Sequence, residues 1–189
     1  TVSPYGSWKS PITADLLLSG SVNLSLPRLD GDDIYWLEGR PSERGRNVIV
    51  RFSPDSGTED VTPPDFNART RAHEYGGGDY TVHDGVITFA NDADQRLYRQ
   101  RPGEAPHPLT AADKSRYADM QVDAARGRLL AVREDHSGPG EAVNSLVAVA
   151  LDDGAVVTLA AGNDFYSSPR LSPDGRRLAW LTWNHPNMP

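Results

Sequence analysis

One short segment combines residue types that could bind a ligand: Arg71-Ala72-His73-Glu74-Tyr75-Gly76-Gly77-Gly78. The carboxylate of Glu74 suits a cation such as a peptide amino terminus, because a charge-assisted bond is roughly twice as strong as a neutral one. The three glycines let the backbone approach a ligand closely or adopt unusual angles. The segment lacks the pattern of a phosphate loop. A solvated loop charge beside a glycine-rich corner explains the same residues, so both interpretations stay open.

The other polar residues form no recognisable catalytic or metal-binding motif. Asp92-Ala93-Asp94 looks like a pair of metal ligands but lacks the remaining ligands of an EF-hand, so loop polarity explains it better. The five histidines include no H-E-x-x-H motif, and no G-x-S-x-G marks a hydrolase nucleophile. We therefore expect no metal and no cofactor, and we assign no catalytic residue within this chain.

Composition argues against several classes of protein. The formal net charge of −7 does not suit general nucleic-acid binding, which needs clustered Lys and Arg. No apolar stretch approaches the roughly 18 residues of a membrane span. The absence of cysteine fits a reducing compartment, and residues 1–9 do not read as a signal peptide. We expect a cytoplasmic protein that binds neither nucleic acid nor membrane.

Three segments of the chain repeat one spacing of mainly apolar residues. Four such residues are separated by five, seven and two positions in each segment: Tyr75, Tyr80, Ile87 and Phe89; Tyr117, Val122, Leu129 and Ala131; Tyr166, Leu171, Leu178 and Trp180. The segments are offset by 42 and 49 residues, and a weaker copy ends at Ile34 and Trp36. Self-similarity of this period indicates a repeated structural unit.

Each repeat has the pattern of four short strands joined by tight turns. Apolar second strands such as 129–132 follow turns rich in Asp and Gly, for example Ser172-Pro173-Asp174-Gly175. Pro fixes φ, Asp bonds the local backbone and Gly takes the positive-φ position. Four strands in this period are typical of a β-propeller blade. A β-sandwich with a coincidental period is the alternative, and the matched spacings argue against it.

The predicted fold is all-β: a partial β-propeller of about three and a half four-stranded blades, with a short N-terminal helix. Residues 1–20 are an N-terminal segment that packs outside the propeller, where Ser10 or Thr13 caps the helix and Gly20 ends it. Residues 21–189 hold blades 1 to 4, the last of them incomplete. Because an open stack exposes apolar faces and strand edges, we expect a longer protein or another chain to complete it.

Propeller geometry groups the loops by the end of the molecule from which they emerge. The loops leading into strand one are predicted at residues 69–78, 114–117 and 163–168, and those joining strands two and three at residues 39–46, 91–95, 134–144 and 184–189. Both sets emerge at the same end, whereas the turns at the other end are tight. Long loops on one end of a rigid scaffold commonly carry function.

Four segments carry a resemblance to a known family: Tyr5-Gly6-Ser7-Trp8-Lys9-Ser10-Pro11-Ile12-Thr13, His73-Glu74-Tyr75-Gly76-Gly77-Gly78, Leu171-Ser172-Pro173-Asp174-Gly175 and Trp183-Asn184-His185-Pro186-Asn187-Met188-Pro189. In this order they resemble the N-terminal half of a prolyl oligopeptidase family (S9) serine peptidase, in its bacterial acylaminoacyl-peptidase or dipeptidyl-aminopeptidase-like branch. Many propellers share the Ser-Pro-Asp-Gly turn, whereas the other three segments together are specific.

The resemblance implies a seven-bladed propeller followed by an α/β-hydrolase domain with a Ser-Asp-His triad. That domain is absent from these residues, so the partner of this chain would be the remainder of its own polypeptide. The propeller would then limit access to short peptide substrates. Some members hold the substrate's amino group with propeller carboxylates, which makes Glu74 the predicted substrate-binding residue, with Arg71, His73 and Tyr75 around it.

The last segment is predicted to form a loop at the same channel mouth, with Asn184, His185 and Asn187 as its candidate residues. A stand-alone, TolB-like propeller that binds protein partners is the alternative function. The sequence leaves open whether the substrate amine is free or acylated, and whether the protein forms a homo-oligomer. A G-x-S-x-G motif further along the same gene would decide for the peptidase.

Overall fold

The computed structural model describes residues 2, 4–18 and 21–187, which form an almost all-β structure. The one α-helix of this described part, α1, spans Ala14–Leu18, and 3-10 turns lie at Pro41–Glu43 and Ala124–Arg126. The strands are β1 Asn23–Asp30, β2 Asp33–Arg40, β3 Arg46–Ser53, β4 Gly57–Asp60, β5 Tyr80–His83, β6 Val86–Ala90, β7 Leu97–Gln100, β8 His107–Pro108, β9 Ser115–Asp123, β10 Arg128–Asp135, β11 Val143–Ala150, β12 Val156–Ala161, β13 Phe165–Leu171 and β14 Leu178–Trp183. No described helix is long and apolar enough to cross a membrane.

The strands form antiparallel sheets that follow the chain as blades 1 to 4. Blades 1 to 3 contain β1–β4, β5–β8 and β9–β12, and blade 4 contains β13 and β14. The first strands of successive blades contact one another. Hydrogen bonds cross these contacts from Tyr80 Oη to Leu26 O at 2.8 Å and from Leu171 N to Gln121 Oε1 at 2.9 Å. This arrangement confirms the predicted partial propeller, with strand one of each blade innermost.

The hydrophobic core lies between the blades. Tyr35 and Ile49 of blade 1 pack with Ile87 and Phe89 of blade 2 in one buried cluster. A second cluster joins blades 2 and 3 and contains Ala90, Leu97, Tyr117, Met120, Leu129, Ala131, Val147 and Val149. Because blade 3 is covered on both faces, the buried residues of β10 and β11 form near-continuous runs instead of alternating.

Three of the innermost strands, β1, β9 and β13, contain a bulge at which one residue has positive φ. These residues are Leu26, Asp119 and Ser168, with φ of 51°, 52° and 54°. The register with the neighbouring strand shifts at each bulge, which adds local twist. At the bulge of β9 the backbone of blade 2 comes close, because a Cβ added to Gly78 would lie 2.5 Å from Asp119 N. The close approach and a φ of 62° explain the glycine at this position.

The spacing that revealed the repeat is misaligned in blade 2. Leu129 pairs with Val122 in blade 3, whereas its counterpart Ile87 pairs with Val82 and not with Tyr80. The strands of blade 2 meet through the two-residue turn Asp84-Gly85, but a 3-10 turn lengthens the same connection in blade 3. The predicted equivalence of Tyr75 with buried Tyr117 and Tyr166 is therefore wrong, and Tyr75 is 69% exposed.

Three predicted boundaries also differ from the structure. Most of the loops predicted at residues 114–117 and 163–168 are strand, because β9 begins at Ser115 and β13 at Phe165. The helix begins only at Ala14, where Thr13 Oγ1 accepts the Leu16 N–H at 3.1 Å, so Thr13 is the cap and Ser10 is not. The predicted helix end at Gly20 lies outside the described residues, as do Met188 and Pro189.

Candidate functional site

The long loops meet at one end of the described propeller, which we call the loop-rich end. The segment before β5 folds onto the β6–β7 loop of its own blade. Arg71 N donates to Gln95 Oε1 at 2.7 Å, and Arg71 Nε donates to Asp92 Oδ1 at 3.0 Å. The same segment contacts β9 and β10 of blade 3 through Arg116 and Glu134. The predicted grouping of leading loops with two-to-three loops is thus observed here.

The segment that carries Glu74 is a tight, compact turn. His73 and Glu74 both have positive φ, 56° and 64°, and three glycines with positive φ follow. A Cβ on Gly76 would lie 2.6 Å from Thr70 O, so the turn closes on its own backbone. Non-glycine residues seldom hold positive φ unless surrounding contacts over-determine it, and such residues cluster at functional sites.

The Glu74 carboxylate points into solvent and is paired with a guanidinium. Its side chain is 81% exposed, and its Oε1 lies 2.7 Å from Arg116 Nη1. That hydrogen bond is the main cause that lowers the pKa of Glu74. Arg116 Nη1 also donates to Arg71 O at 2.8 Å, which ties the two blades together. Glu74 therefore lies in solvent at the tip of the turn, and its substrate-binding role stays a prediction.

One buried carboxylate of the loop-rich end belongs to Glu134, which sequence reasoning missed. Its side chain is only 8% exposed. Glu134 Oε1 accepts the His73 N–H at 3.1 Å, and Oε2 lies 2.9 Å from His136 Nε2 and 3.5 Å from Arg116 Nη1. The available signal was alternation along the strand, because Glu134 continues the buried face of Leu130 and Val132 between the half-buried Arg133 and Asp135.

The His73 ring is buried beside this carboxylate. Its side chain is 8% exposed, and neither ring nitrogen has a hydrogen-bond partner among the described residues. The nearer nitrogen, Nδ1, lies 3.8 Å from Glu134 Oε1. The ring also contacts the rings of Tyr75 and Phe165, with centroids 5.8 Å apart in both cases. His73 therefore joins the Glu74 turn to blade 4.

Blade 4 brings the second predicted group to the same end. Asp164 Oδ2 accepts the His185 N–H at 2.9 Å and lies 3.0 Å from His185 Nδ1. Asn184 Oδ1 accepts the Asp164 N–H at 2.8 Å. Phe165 packs edge-on against His185 at 4.9 Å between centroids. His73 and His185 thus flank one phenyl ring, although the sequence placed them in separate loops.

Asn187 reaches this cluster through its backbone alone. Its N–H donates to Asn184 O at 3.0 Å, and its side chain has no hydrogen bond in the described part of the chain. Among the other predicted residues, the structure brings together Glu74, Arg71, His73, Tyr75, Asn184 and His185 through Arg116, Glu134, Asp164 and Phe165.

The acidic pair of the β6–β7 loop is held by protein groups. Asp92 bonds Arg71, and Asp94 Oδ2 accepts the Tyr98 hydroxyl at 2.7 Å, which supports loop polarity. Asp30, His83 and Asp84 could hold a metal ion, since ligand atoms of the three lie within 4.8 Å of one another. However, the Asp30 carboxylate already accepts the backbone N–H groups of Asp84 and Gly85 at 3.1 and 2.6 Å.

Several solved structures are similar to this chain, although no family model and no curated protein matches it. A puromycin-hydrolyzing peptidase of Mycobacterium tuberculosis is 37% identical over 98% of the chain, with a TM-score of 0.85. The chain belongs to the prolyl oligopeptidase (S9) family. This S9 chain covers 31% of the length of the mycobacterial peptidase, as expected for the propeller portion of such a peptidase.

Two more distant structures show the fold alone. Acylaminoacyl peptidase of Pyrococcus horikoshii is 14% identical over 84% of the S9 chain, with a TM-score of 0.58, and the chain covers 27% of it. TolB of Acinetobacter baumannii is 16% identical over 80%, with a TM-score of 0.55, and the chain covers 36% of it. The family resemblance is confirmed, whereas the likeness to TolB supports the propeller and no further property.

Proposed function

We propose that these residues are the substrate-gating and substrate-binding part of a serine peptidase that cleaves short peptides. The observation that carries this proposal is the 37% identity to a puromycin-hydrolyzing peptidase over nearly the whole chain. Catalysis would belong to an α/β-hydrolase domain elsewhere in the same polypeptide. The arrangement of the loop-rich end supports a binding role, because carboxylates from three blades and an aromatic cluster meet there.

Glu74 is the proposed ligand for the substrate's amino group, with Arg71, His73 and Tyr75 around it. An incoming ammonium would share Oε1 with Arg116, which now lies 2.7 Å away. Because an ion pair with an exposed carboxylate contributes little stability, Glu74 can exchange partners at little cost. Its lowered pKa supports this role, because Glu74 is ionised at neutral pH, where a large share of peptide amines is still protonated.

The test compares the Glu74→Gln variant of the full-length polypeptide with the unchanged polypeptide. Each dipeptide substrate is used in two forms, one with a free amino group and one with an acetylated amino group. If Glu74 binds the amine, kcat/KM falls about tenfold for free-amine substrates and stays unchanged for acetylated ones. Glu104→Gln is the matched control, since Glu104 is exposed in the β7–β8 turn. An equal kcat/KM on free-amine dipeptides would overturn this assignment, and a preference for acetylated substrates would favour an acylaminoacyl peptidase.

The remaining assignments belong to the same proposal. Residues 1–20 would pack outside the blades, and residues 21–189 would be blades 1 to 4 of the propeller. The protein would be a bacterial, cytoplasmic enzyme whose blades pair with the rest of its own chain. Size-exclusion chromatography with light scattering on the full-length protein would decide between a monomer and a homo-oligomer.

A further inference from the structure

A cavity of about 320 Å³ opens between blades 3 and 4 at the loop-rich end. We call it the blade 3–4 pocket, and its polar and aromatic wall consists of Glu134, Glu141, Asn144, Asp164, Phe165 and His185. Glu134 lies near the end of β10, Glu141 lies in the β10–β11 loop, Asn144 lies in β11, and the other three come from blade 4. Lys and Arg are missing from the described residues that line it.

Three carboxylates give this pocket an excess of negative charge. The backbone N–H of His185, followed by its ring, lowers the pKa of Asp164, so this side chain is ionised at neutral pH. Glu141 is exposed and has no hydrogen-bond or ion-pair partner among the described residues. Glu134 is shared with Arg116 and His136, which lie outside the pocket wall. The wall therefore offers more acceptors than the protein itself satisfies.

A buried amide provides an independent sign that a donor is missing. Asn144 is only 7% exposed, and its Nδ2 is fixed by a 2.7 Å hydrogen bond to Asp164 O. Its Oδ1 has no donor in the described part of the chain. Buried polar atoms are paired in the great majority of cases, and an unpaired one calls for an explanation such as a ligand. A ligand rich in N–H groups would supply that donor.

Phe165 gives the pocket an aromatic wall beside these acceptors. Its ring stacks on Trp183 with centroids 5.4 Å apart and meets the His185 ring edge-on. The face of an aromatic ring attracts a cation, and arginine guanidinium groups use this contact most often. An apolar wall also suits the methylene stem that carries a guanidinium or ammonium group.

We propose that the blade 3–4 pocket binds the basic side chain of a peptide, an arginine above all. The guanidinium would donate to Glu141, Asp164 and Glu134, and its plane would lie against Phe165. This inference rests on the proposed peptidase function and adds a preference for basic peptides. It differs from the amine site at Glu74, which is exposed on the segment before β5 and pairs with Arg116 of blade 3.

The kinetic test uses the full-length polypeptide and peptides that carry arginine or its neutral isostere citrulline at each position in turn. Every peptide is acetylated, so that no free amino group can occupy the pocket instead. We expect kcat/KM to be about tenfold higher for arginine at one position, and Glu141→Gln to remove most of that preference. Glu104→Gln removes the same charge from the β7–β8 turn, at the other end of the propeller, and this variant should keep the preference for arginine. Equal rates for arginine and citrulline at every position would overturn the proposal.

A binding test separates this proposal from the peptidase proposal. Nα-acetyl-arginine methylamide is titrated calorimetrically into the full-length protein, with the citrulline analogue and glycinamide as the other probes. Binding of the arginine probe that falls about tenfold in Glu141→Gln and in Asp164→Asn supports the pocket even if no peptide is cleaved. Tighter binding of glycinamide would assign the pocket to amino termini, and equal binding of arginine and citrulline probes would reject it.

Discussion

Two buried carboxylates lie at opposite ends of the same β9–β10 hairpin. At the tight-turn end, Asp123 faces Arg128 across the strands, with Oδ2 2.8 Å from Arg128 Nε and 3.2 Å from Arg126 Nη1. At the loop-rich end, Glu134 faces Arg116 across the same strands. Each pair is a cross-strand carboxylate and arginine, so sequence and register alone make them equivalent.

Their surroundings are not equivalent. Both partners of Asp123 come from its own hairpin, and both guanidinium groups reach water. Glu134 instead accepts the backbone N–H of His73 from blade 2 and lines a pocket with blade 4. The Asp123 pair closes a turn, whereas Glu134 contacts blade 2 and lies beside groups without a hydrogen-bond partner among the described residues, namely Asn144 Oδ1 and the His73 ring nitrogens. The two ends therefore differ in which polar groups lack a hydrogen-bond partner, and the groups at the loop-rich end define the candidate site.

The largest expected effect comes from Gly78→Ala, which would move the turn that carries His73 away from Glu134. The added Cβ would lie 2.5 Å from Asp119 N and 2.6 Å from Asp119 Cα, and backbone atoms cannot give way cheaply. We expect the free energy of unfolding to fall by about 3 kcal/mol or more, measured by urea denaturation of the full-length protein.

Gly127→Ala is the matched control at the tight-turn end. Gly127 has a φ of 60°, close to the 62° of Gly78, but a Cβ there would meet nothing within 4 Å. Only the backbone cost of a left-handed alanine remains, about 1 kcal/mol. Equal losses in the two variants would mean that the approach of blade 2 to Asp119 contributes nothing to stability.

The repeat made the fold predictable, because strand period and turn chemistry act locally. The register of blade 2 was not predictable, since a two-residue turn and a 3-10 turn give similar apolar spacings. The sequence also located the Glu74 turn through its glycines and charges. Glu134 and Phe165 escaped notice because their meaning depends on neighbours from other blades. A charged residue near the end of an apolar strand cannot be assigned a role until its partners are known.

The second prediction compares the two carboxylates directly. Glu134→Ala removes a buried carboxylate that accepts the His73 N–H and leaves Arg116 with fewer partners, so we expect a loss of about 3 kcal/mol. Asp123→Ala leaves two guanidinium groups that can turn to water, so we expect a loss of about 1 kcal/mol. Both values come from urea denaturation at neutral pH.

The isosteric changes Glu134→Gln and Asp123→Asn keep one acceptor oxygen and serve as controls. Each should recover part of the loss, and Glu134→Gln should recover more because its Oε1 can still accept the His73 N–H. If Asp123→Ala proved as costly as Glu134→Ala, the inter-blade contacts of Glu134 would carry no extra stability, and the contrast between the two ends would fail.

The smallest effect concerns Asp79, a buried carboxylate at the loop-rich end that has no ion pair among the described residues. Burial raises its pKa, although the backbone N–H of Thr70 bonds Oδ1 at 2.7 Å. A raised pKa in the folded state means that ionisation favours the unfolded chain. The contribution of Asp79 to the free energy of unfolding is therefore fully present below the pKa of Asp in the unfolded chain, about 3.9. It is lost as pH rises through the higher pKa of Asp79 in the folded protein.

Asp79→Asn keeps the acceptor for Thr70 and removes the buried charge. We therefore expect the variant to be more stable than the parent at pH 7, by about 0.5 kcal/mol, and the gain to vanish as pH falls below about 4. Asp55→Asn, at an exposed turn, should show no such pH dependence. Thermal unfolding between pH 3 and pH 8 measures both variants. If Asp79→Asn were less stable than the parent at pH 7, the Asp79 charge would be stabilised by its protein surroundings. Asp79 would then resemble Glu134 and Asp123, whose charges are balanced by neighbouring groups.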